Sequence, residues 1–173
     1  MTIRVARLAA DDIDAHAEAL GAILLDCVAG GASVSFMADL TRERAEDFWR
    51  SKAEGVARDD IRLLAAEADG AMLGTVTVAR AGPDNQPHRG DVAKMLVHSR
   101  ARRRGVARLL METAEREARA MGLTLLVLDT VTGSAAEALY VGLGWQRVGE
   151  IPDFALYPDG ALCPTTFFYK RLG

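Results

Sequence analysis

Hydrophobic residues alternate with polar ones in some stretches of the chain and recur at helical spacing in others, which predicts a mixture of strands and helices. Residues 3–8 alternate as a short strand, and Asp11 and Asp12 then suit the start of a helix. The apolar face of that helix continues to about Cys27. Thr41 is placed to cap a second helix. Two helices after the first strand predict a cover over one face of a sheet.

The middle of the chain carries three further strand patterns. Residues 62–68 and 72–81 flank the dipeptide Asp69-Gly70, which is favoured in tight turns, so they predict a hairpin. Residues 123–129 read L-T-L-L-V-L-D, a nearly continuous apolar run. Such a run is typical of a strand that is buried on both faces.

A short helix and two strands complete the pattern. Residues 134–137 read Ser-Ala-Ala-Glu, a capping box that starts a helix running to Gly142. Residues 145–151 and 165–170 predict the last two strands, and the proline-containing segment 152–164 predicts a loop between them. The predicted order is strand, two helices, three strands, helix, strand, helix and two strands. This order indicates a mixed α/β fold.

Residues 91–121 combine a strand, a basic loop and a helix. The apolar strand over 92–97 leads into a loop that passes through Gly105 into an amphipathic helix over 106–121. Residues 100–108 include five arginines in nine positions. A glycine-bearing basic turn at a helix N-terminus presents free N–H groups and a partial positive charge to a phosphate. The stretch therefore predicts a phosphate-binding turn, with a solvated arginine surface as the alternative.

The helix predicted over 106–121 places apolar side chains on one face and charged side chains on the other. Its charged face offers two pairs at i, i+4 spacing, which predict salt bridges: Glu112–Arg116 and Glu115–Arg119. Gly122 is placed to end the helix.

Composition limits the classes of protein to which the chain can belong. Its 173 residues, 50% of them hydrophobic, suffice for one domain with a substantial core, and we predict a single domain over 1–173. The net charge of -3 makes the arginine cluster a local feature, which favours a small anionic ligand over nucleic acid. No apolar segment approaches the length of a membrane span, and Cys27 and Cys163 lack metal-ligand spacing. The pattern is typical of a cytoplasmic protein with two buried thiols, no metal and no membrane partner.

Two short motifs resemble those of one enzyme family. Residues 102–107 read R-R-R-G-V-A, which resembles the acyl-CoA pyrophosphate loop Q/R-x-x-G-x-G/A of the GCN5-related N-acetyltransferases (GNAT). Residues 138–145 read A-L-Y-V-G-L-G-W, which resembles the family's second motif, A/x-L-Y-x-x-x-G-F. The resemblance covers residues 3–172 in element order. It implies a GNAT-like acyl-CoA N-acyltransferase fold, with a largely antiparallel central sheet and one parallel, splayed strand pair flanked by helices.

Within that family, three runs resemble the tabtoxin resistance protein type of acetyltransferase: residues 125–134, 143–149 and 155–170. The chain departs from the family pattern at two positions. The family often has an Asn that contacts the pantetheine region near Ser134, so either Ser134 makes this contact or the contact is absent. Trp145 stands where the family has Phe and fills more volume.

The resemblance implies that acetyl-CoA is the cosubstrate and that backbone N–H groups after Arg102 hold its pyrophosphate. The arginine side chains add charge, since a well-formed charge-assisted hydrogen bond contributes about 1.5–3 kcal/mol. It also implies that N–H groups near Leu96 and Val97, on the splayed strand, lie beside the pantetheine arm and the thioester oxygen. The residues so assigned to the cofactor are Met95, Leu96, Val97, Arg102, Arg103, Arg104, Gly105, Val106, Ala107, Arg108, Ser134, Glu137 and Tyr140.

Three residues are candidates for the chemistry. Tyr140 is the candidate general acid, since a phenol with a pKa of about 10 can protonate a departing thiolate with a pKa of about 8.5; the alternative is a core tyrosine. Asp129 and Asp91 are candidate bases at the end and the start of neighbouring strands. Asp129 is favoured because the apolar run before it would raise its pKa. Either carboxylate could instead bind a substrate ammonium or cap a strand, and His98 is interpreted as a bystander.

The acceptor side is less well defined by the sequence. The residues assigned to it are Ser35, Phe36, Trp49 and Asp129. Aromatic residues at such positions are more often part of a core, which is the alternative for both rings. An acidic cleft mouth formed by Asp91, Asp129 and Asp153 would suit a cationic amine.

The resemblance therefore predicts an acetyl-CoA-dependent N-acetyltransferase that acts on the amine of a small molecule by direct attack in a ternary complex. An amino-acid-like antimetabolite or toxin is the acceptor that the subgroup implies. The alternatives are an acyl-CoA-binding regulatory module without turnover and an acetyltransferase of a protein or peptide amine. A nucleic-acid binder is disfavoured by the acidic net charge. The last strands could also pair two copies into a homodimer.

Overall fold

A seven-stranded sheet runs through the part of the chain that the computed structural model describes, residues 2–173. The strands are β1 (Arg4–Leu8), β2 (Ile61–Ala68), β3 (Ala71–Arg80), β4 (Arg89–Val97), β5 (Leu125–Val131), β6 (Gln146–Leu156) and β7 (Leu162–Arg171). The α-helices are α1 (Ala10–Ala29), α2 (Arg42–Arg50), α3 (Ala53–Ala57), α4 (Val106–Ala120) and α5 (Ala135–Gly142). The sheet order is β1-β2-β3-β4-β5-β7-β6, and β4–β5 is its parallel pair. The predicted fold class is confirmed.

Both faces of the sheet are covered, because successive residues of β2 belong to different cores. Leu63 packs with α1 and α2, in a cluster that includes Leu20 and Trp49. Leu64 points to the other face and packs with α4, in a cluster that includes Leu110. This alternation follows from the two-residue period of a strand. The sheet is therefore held from both sides, and its strand ends stay fixed.

The strands β4 and β5 separate after a short pairing. Residues 89–91 of β4 pair with 125–127 of β5, and the later residues of both strands are not paired with each other. A bulge in β4 opposite β3 places Lys94 at a φ of 51°. The Thr75 hydroxyl donates to the Lys94 carbonyl oxygen at 3.0 Å, which fixes the bulge from β3. The predicted splayed pair is confirmed, and the gap between the two strands is the opening of the site described below.

Two details of the predicted elements are corrected. The sequence predicts two helices between the first strand and the hairpin, but the short helix α3 adds a third. The strand predicted over 145–151 continues through Pro152 to Leu156, where a loop was expected. Proline is tolerated there because β6 is the edge strand and its register with β7 shifts between Ile151 and Ala155.

The two salt bridges predicted on α4 are wrong. Glu112 pairs with Arg108 at 3.6 Å. The Glu115 carboxylate faces inward, where it accepts hydrogen bonds from Lys170 Nζ at 2.7 Å and from Trp145 Nε1 at 3.1 Å. A buried carboxylate needs such partners. Glu115 therefore fixes α4 to β7 and to the residue before β6, and it leaves the site helix rigidly placed.

The β6 edge of the sheet and the adjoining start of β7 expose apolar side chains, with Val148 and Leu162 at 67% and 60% exposure. Such an edge suits pairing with a second copy, and the homodimer stays a prediction. The two cysteines are free and buried, as predicted. Within residues 2–173, no helix has both the length and the apolar character that a membrane crossing requires.

Candidate active site

A cavity of about 1370 Å³ opens where β4 and β5 separate. Most of its walls come from five parts of the chain: the loop over 30–37, the end of β4, the loop over 101–108, the segment from the end of β5 into α5, and residues 154–157. Cys27 of α1 and two residues of β7, Cys163 and Thr165, complete the lining. A pocket for one small ligand typically measures about 300–1,000 Å³. This cavity therefore has room for two ligands side by side.

One end of the cavity is formed by residues 102–107, which we call the arginine loop. Gly105, the N-cap of α4, has a left-handed backbone with a φ of 80°. Within residues 2–173, four N–H groups of this loop donate no hydrogen bond: those of Arg103, Gly105, Val106 and Ala107. The positive end of the α4 dipole lies at the same place. The loop is therefore able to bind an anion through backbone donors.

The start of this loop is fixed by α1. The Asp26 carboxylate accepts hydrogen bonds from the Ser99 N–H and the Ser99 hydroxyl, each at 2.7 Å. Burial raises the pKa of Asp26, but the Ser99 hydrogen bonds and the charges of His98 and Arg102 outweigh it and hold this pKa below its usual value. His98 thus acts within this anchor, at 3.6 Å from the carboxylate, and it does not line the cavity.

The arginine side chains contribute unequally. Arg102, Arg103 and Arg108 line the cavity, whereas Arg104 is not among the lining residues. Arg102 Nε donates to the Val97 carbonyl oxygen at 3.4 Å, which ties the loop to the end of β4. All four side chains are exposed, so their charges are screened by solvent.

The end of β4 supplies the wall between the two ends of the cavity. Met95, Leu96 and Val97 all line it, as the resemblance implies. The His98 N–H donates to Leu73 of β3 at 2.9 Å. Because donors alternate in an antiparallel ladder, the Val97 N–H points away from β3 and toward the gap beside β5.

The first turn of α5 also forms part of the cavity wall. The Ser134 hydroxyl accepts a hydrogen bond from the Glu137 N–H at 3.3 Å, so Ser134 caps the helix and lines the cavity. Glu137 does not line it: its carboxylate accepts from the Gly133 N–H and pairs with Arg147 at 3.4 Å. The assignment of Glu137 to the cofactor is therefore corrected to that of a helix-capping residue.

Tyr140 lies on α5 and faces the cavity between its two ends. Its ring is 5% exposed and packs against Trp145 and Phe168, with ring centroids 6.1 and 6.0 Å away. Its hydroxyl makes no hydrogen bond within residues 2–173. Burial and the Asp129 carboxylate raise the pKa of Tyr140 far above its usual range. The phenol is thus protonated at neutral pH, and its proton is available for donation.

The two candidate bases lie in different places. Asp129 lines the cavity, and its carboxylate accepts a hydrogen bond from the Thr165 hydroxyl at 3.1 Å. Its side chain is exposed, so the burial expected for this carboxylate is absent. Asp91 lies outside the cavity, in the part of β4 that pairs with β5, and it bonds to Arg89. The expectation that Asp91 faces the cleft is wrong, because β4 and β5 separate only after this residue.

The comparison with known proteins agrees with this geometry. A sequence model of the Acetyltransferase (GNAT) family matches residues 32–145, a span that includes both the arginine loop and Tyr140. The chain belongs to this family. It is 38% identical over 117 residues to the IAA acetyltransferase of Azospirillum brasilense, an alignment that covers 67% of this chain and 71% of that protein.

Solved structures show the same fold at low sequence identity. An N-acetyltransferase from Staphylococcus aureus Mu50 superposes with a TM-score of 0.82 at 19% identity, over 100% of both chains. The yncA protein of Salmonella typhimurium, solved with its cofactor acetyl-CoA, gives a TM-score of 0.81 at 17% identity, over 100% of this chain and 95% of that one. The predicted GNAT family and fold are confirmed. The tabtoxin resistance type stays a prediction.

The other end of the cavity in this GNAT protein is lined by aromatic and polar side chains. Ser35 and Phe36 line it, and their assignment to the acceptor stays a prediction. Phe36 packs edge-on against Phe48, with ring centroids 5.2 Å apart. Trp49 lies outside the walls and is completely buried, so its interpretation as a lining residue is wrong. The amphipathic pattern of α2 does not distinguish a ring that faces the core from one that faces a cavity.

Lys94 is a lining residue that the sequence analysis missed. Its Nζ donates a hydrogen bond to the Ser35 hydroxyl at 3.1 Å and lies 5.4 Å from the centroid of the Phe48 ring. Burial and the nearby Lys52 lower the pKa of Lys94, while the charge of Asp129 raises it in part. The signal in the sequence was a lysine inside the otherwise apolar strand that precedes the arginine loop.

The cavity is positively charged overall. Its positive side chains are Lys94, Arg102, Arg103 and Arg108. Within the described residues, Asp129 is the single acidic side chain among the walls. Asp153 lies in β6 outside them, as Asp91 does on β4, so the expected acidic mouth for a cationic amine is wrong.

Proposed function

We propose that this protein transfers an acetyl group from acetyl-CoA to the amine of a small molecule, by direct attack in a ternary complex. An amino-acid-like antimetabolite or toxin is the acceptor we propose, which makes the reaction a detoxification. The observation that carries the proposal is one cavity that joins unused backbone donors of the arginine loop, the free Tyr140 hydroxyl and polar acceptor-side groups. The relative named IAA acetyltransferase and the acetyl-CoA in yncA support the reaction type.

The arginine loop together with residues 95–97 forms what we call the coenzyme end. Four backbone donors without acceptors suit the diphosphate of acetyl-CoA, and Arg102, Arg103 and Arg108 add charge. The Val97 N–H, turned into the gap, suits a carbonyl oxygen of the pantetheine arm or of the thioester. Acetyl-CoA would supply the acetyl group as a thioester, whose thiolate is a good leaving group.

Tyr140 provides the proton that the leaving thiolate needs. Its ring is buried, its hydroxyl is protonated and has no hydrogen-bond partner within residues 2–173, and it lies between the two ends of the cavity. General acid catalysis of this kind accelerates a reaction by about 10²- to 10⁴-fold. The packing of its ring against Trp145 and Phe168 holds the hydroxyl in place.

Asp129 orients the acceptor amine. Its carboxylate keeps a hydrogen bond from Thr165 and is open to solvent, so an ammonium group can bind to it. A carboxylate is a much weaker base than an aliphatic amine, so it binds an ammonium group more readily than it deprotonates it. We therefore assign Asp129 the binding of the ammonium, and the amine proton leaves through solvent water at this exposed carboxylate.

Two measurements test the proposal. Titration calorimetry of the purified protein with acetyl-CoA measures binding, and a thiol-release assay with acetyl-CoA screens panels of amines, including amino acids, their amides, β-lactam dipeptide-derived toxins, polyamines and peptides. We expect saturable acetyl-CoA binding and thiol release that depends on a small amine of the amino-acid type.

The outcomes separate the alternatives. Absence of acetyl-CoA binding overturns the proposal. Tight binding without thiol release from any amine favours a regulatory module, and turnover of peptides in preference to free amino acids favours a protein or peptide acceptor.

A further inference from the structure

We propose that Lys94 Nζ and the Ser35 hydroxyl form the binding site for a carboxylate of the acceptor molecule. This inference rests on the proposed function and adds to it the side chains that recognise the carboxylate of the acceptor. The Ser35 hydroxyl, Phe36, Lys94 and Asp129 form what we call the acceptor end of the cavity. No part of the transfer chemistry assigned above uses Lys94.

The Lys94 ammonium has unused donors in a partly buried place. An ammonium group has three N–H donors, and one of them is donated to Ser35 at 3.1 Å. Within residues 2–173, no carboxylate lies within 4.0 Å of Lys94 Nζ. The Ser35 hydroxyl accepts this bond and keeps its own hydrogen to donate. Two side chains thus offer donors to the same oxygen-bearing group.

The backbone holds both residues in an uncommon conformation. The φ values of Lys94 and Ser35 are 51° and 77°, in the left-handed region that residues other than glycine rarely adopt. The Thr75 and Thr77 hydroxyls fix the β4 bulge by donating to the carbonyl oxygens of Lys94 and Ala93. Strained residues that are held from several sides concentrate at binding sites. In a regular strand, neighbouring side chains point alternately to the two faces of the sheet. The bulge interrupts this alternation at Lys94, whose side chain reaches Ser35.

The position of Lys94 separates it from the coenzyme end. It precedes Val97 by three residues on β4, and the bulge lies between the two. The loop over 30–37 and the aromatic ring of Phe48 surround it, rather than the arginine loop. An anion bound at Lys94 is therefore distinct from the diphosphate of the coenzyme.

The charges at this end fit an amino acid. Asp129 is close enough for its charge to raise the pKa of Lys94, so a cation and an anion face the same space. A zwitterion places its ammonium group at Asp129 and its carboxylate at Lys94. The second cation nearby, Lys52, lies 4.6 Å from the Phe48 ring centroid and outside the cavity walls. The surplus of positive charge then favours an acceptor with a carboxylate over a plain cationic amine.

The test compares L-amino acids with their α-carboxamides in the thiol-release assay. For the wild-type protein we expect kcat/KM to be about 10- to 100-fold higher for the acid than for the amide, as for the loss of one charge-assisted hydrogen-bonded contact. In K94M we expect this ratio to fall toward one, through a higher KM for the acid. In K94R, which keeps a positive charge at the same backbone position, most of the preference should return.

K52M is the matched control, since it removes a neighbouring positive charge that does not line the cavity. We expect it to keep the preference for the acid. Equal turnover of acid and amide by the wild-type protein, or an unchanged ratio in K94M, overturns the inference. The wild-type comparison needs no variant, so it decides even where K94M does not fold. Acetyl-CoA binding by the wild-type protein, measured in parallel, separates failure of this inference from failure of the proposed function.

Discussion

The two ends of the cavity are built by different means. At the coenzyme end, the donors are backbone N–H groups: four come from one continuous loop, residues 102–107, at the start of one helix, and one comes from Val97 of β4. At the acceptor end, the contacts are side chains from three separated parts of the chain: Ser35, Lys94 and Asp129. Backbone donors do not depend on which side chain a residue carries, whereas a side-chain contact is lost with one substitution. The coenzyme end thus suits a constant ligand, and the acceptor end suits one that varies within a family.

This difference determines which substitutions matter at each end. At the coenzyme end, we expect a substitution to weaken coenzyme binding when it changes the backbone of the loop or the contacts that hold that backbone. At the acceptor end and at Tyr140, we expect a substitution to lower the activity when it removes the one side-chain atom that makes the contact or donates the proton. Substitutions at four positions test this contrast.

Removal of the Tyr140 hydroxyl should have the largest effect. In Y140F we expect kcat to fall about 10²- to 10³-fold, because the general acid is lost. The dissociation constant of acetyl-CoA should change by less than about twofold, since the ring keeps its packing against Trp145 and Phe168. A raised pKa keeps the phenol protonated to higher pH, so the wild-type kcat should not fall through loss of this proton below about pH 10. Steady-state kinetics from pH 6 to 10 with parallel calorimetry check both points.

Y169F is the control for this variant, because Tyr169 bonds to Gln146 and does not line the cavity. It should leave kcat unchanged. If the kcat of Y140F lies within threefold of the wild-type value, Tyr140 is not the general acid, and another group donates the proton.

The contrast also explains what the sequence could predict. The arginine loop and Tyr140 lie in short continuous motifs, so their residues could be assigned before the structure. The misplaced residues depend on long-range geometry. Asp91 was expected in the cleft, but β4 and β5 still pair at that residue and separate beyond it. Lys94 was missed because a bulge, invisible in a strand pattern, directs its side chain into the cavity.

A substitution that changes the loop backbone should have the next largest effect. Gly105 has a φ of 80°, and a Cβ at this position would meet nothing within 4 Å. A valine at this position meets no steric clash, and its left-handed backbone conformation alone costs about 1–3 kcal/mol. We therefore expect G105V to weaken acetyl-CoA binding about 10- to 100-fold, as measured by calorimetry.

G105N is the matched variant, because asparagine adopts the left-handed conformation more readily than other residues. It should bind acetyl-CoA within about fivefold of the wild type. Equal losses in both variants contradict a backbone origin and point to contact between the added side chain and the ligand.

Removal of the Asp26 carboxylate, which holds Ser99 just before the arginine loop, should have a smaller effect. In D26N we expect a five- to tenfold loss of acetyl-CoA affinity and a loss of about 1 kcal/mol in unfolding free energy at pH 7, since hydrogen bonds from Ser99 weaken. Because the pKa of Asp26 is lowered in the folded state, its contribution is complete above the unfolded pKa of about 4 and is lost as the pH falls through the folded pKa. Denaturant unfolding at several pH values measures the difference between the two proteins.

D14N is the control, on the same helix, because Asp14 forms an exposed pair with Arg50. It should change neither affinity nor stability by a measurable amount. A D26N stability loss that persists at pH 2 rules out the ionised carboxylate as its source.

The smallest effect should come from removing a guanidinium group while the backbone of the loop is kept. Arg103 is exposed and has a φ of 60°, so its charge contributes about 1 kcal/mol or less, and its backbone is strained. In R103G the lost charge is offset by relief of that strain, so we expect acetyl-CoA affinity to change by no more than about threefold. R103A loses the charge and keeps the strain, so it should bind about fivefold more weakly. Losses above about 30-fold in both variants would show that the side chains, and not the backbone donors, hold the diphosphate, and the contrast between the two ends of the cavity would then disappear.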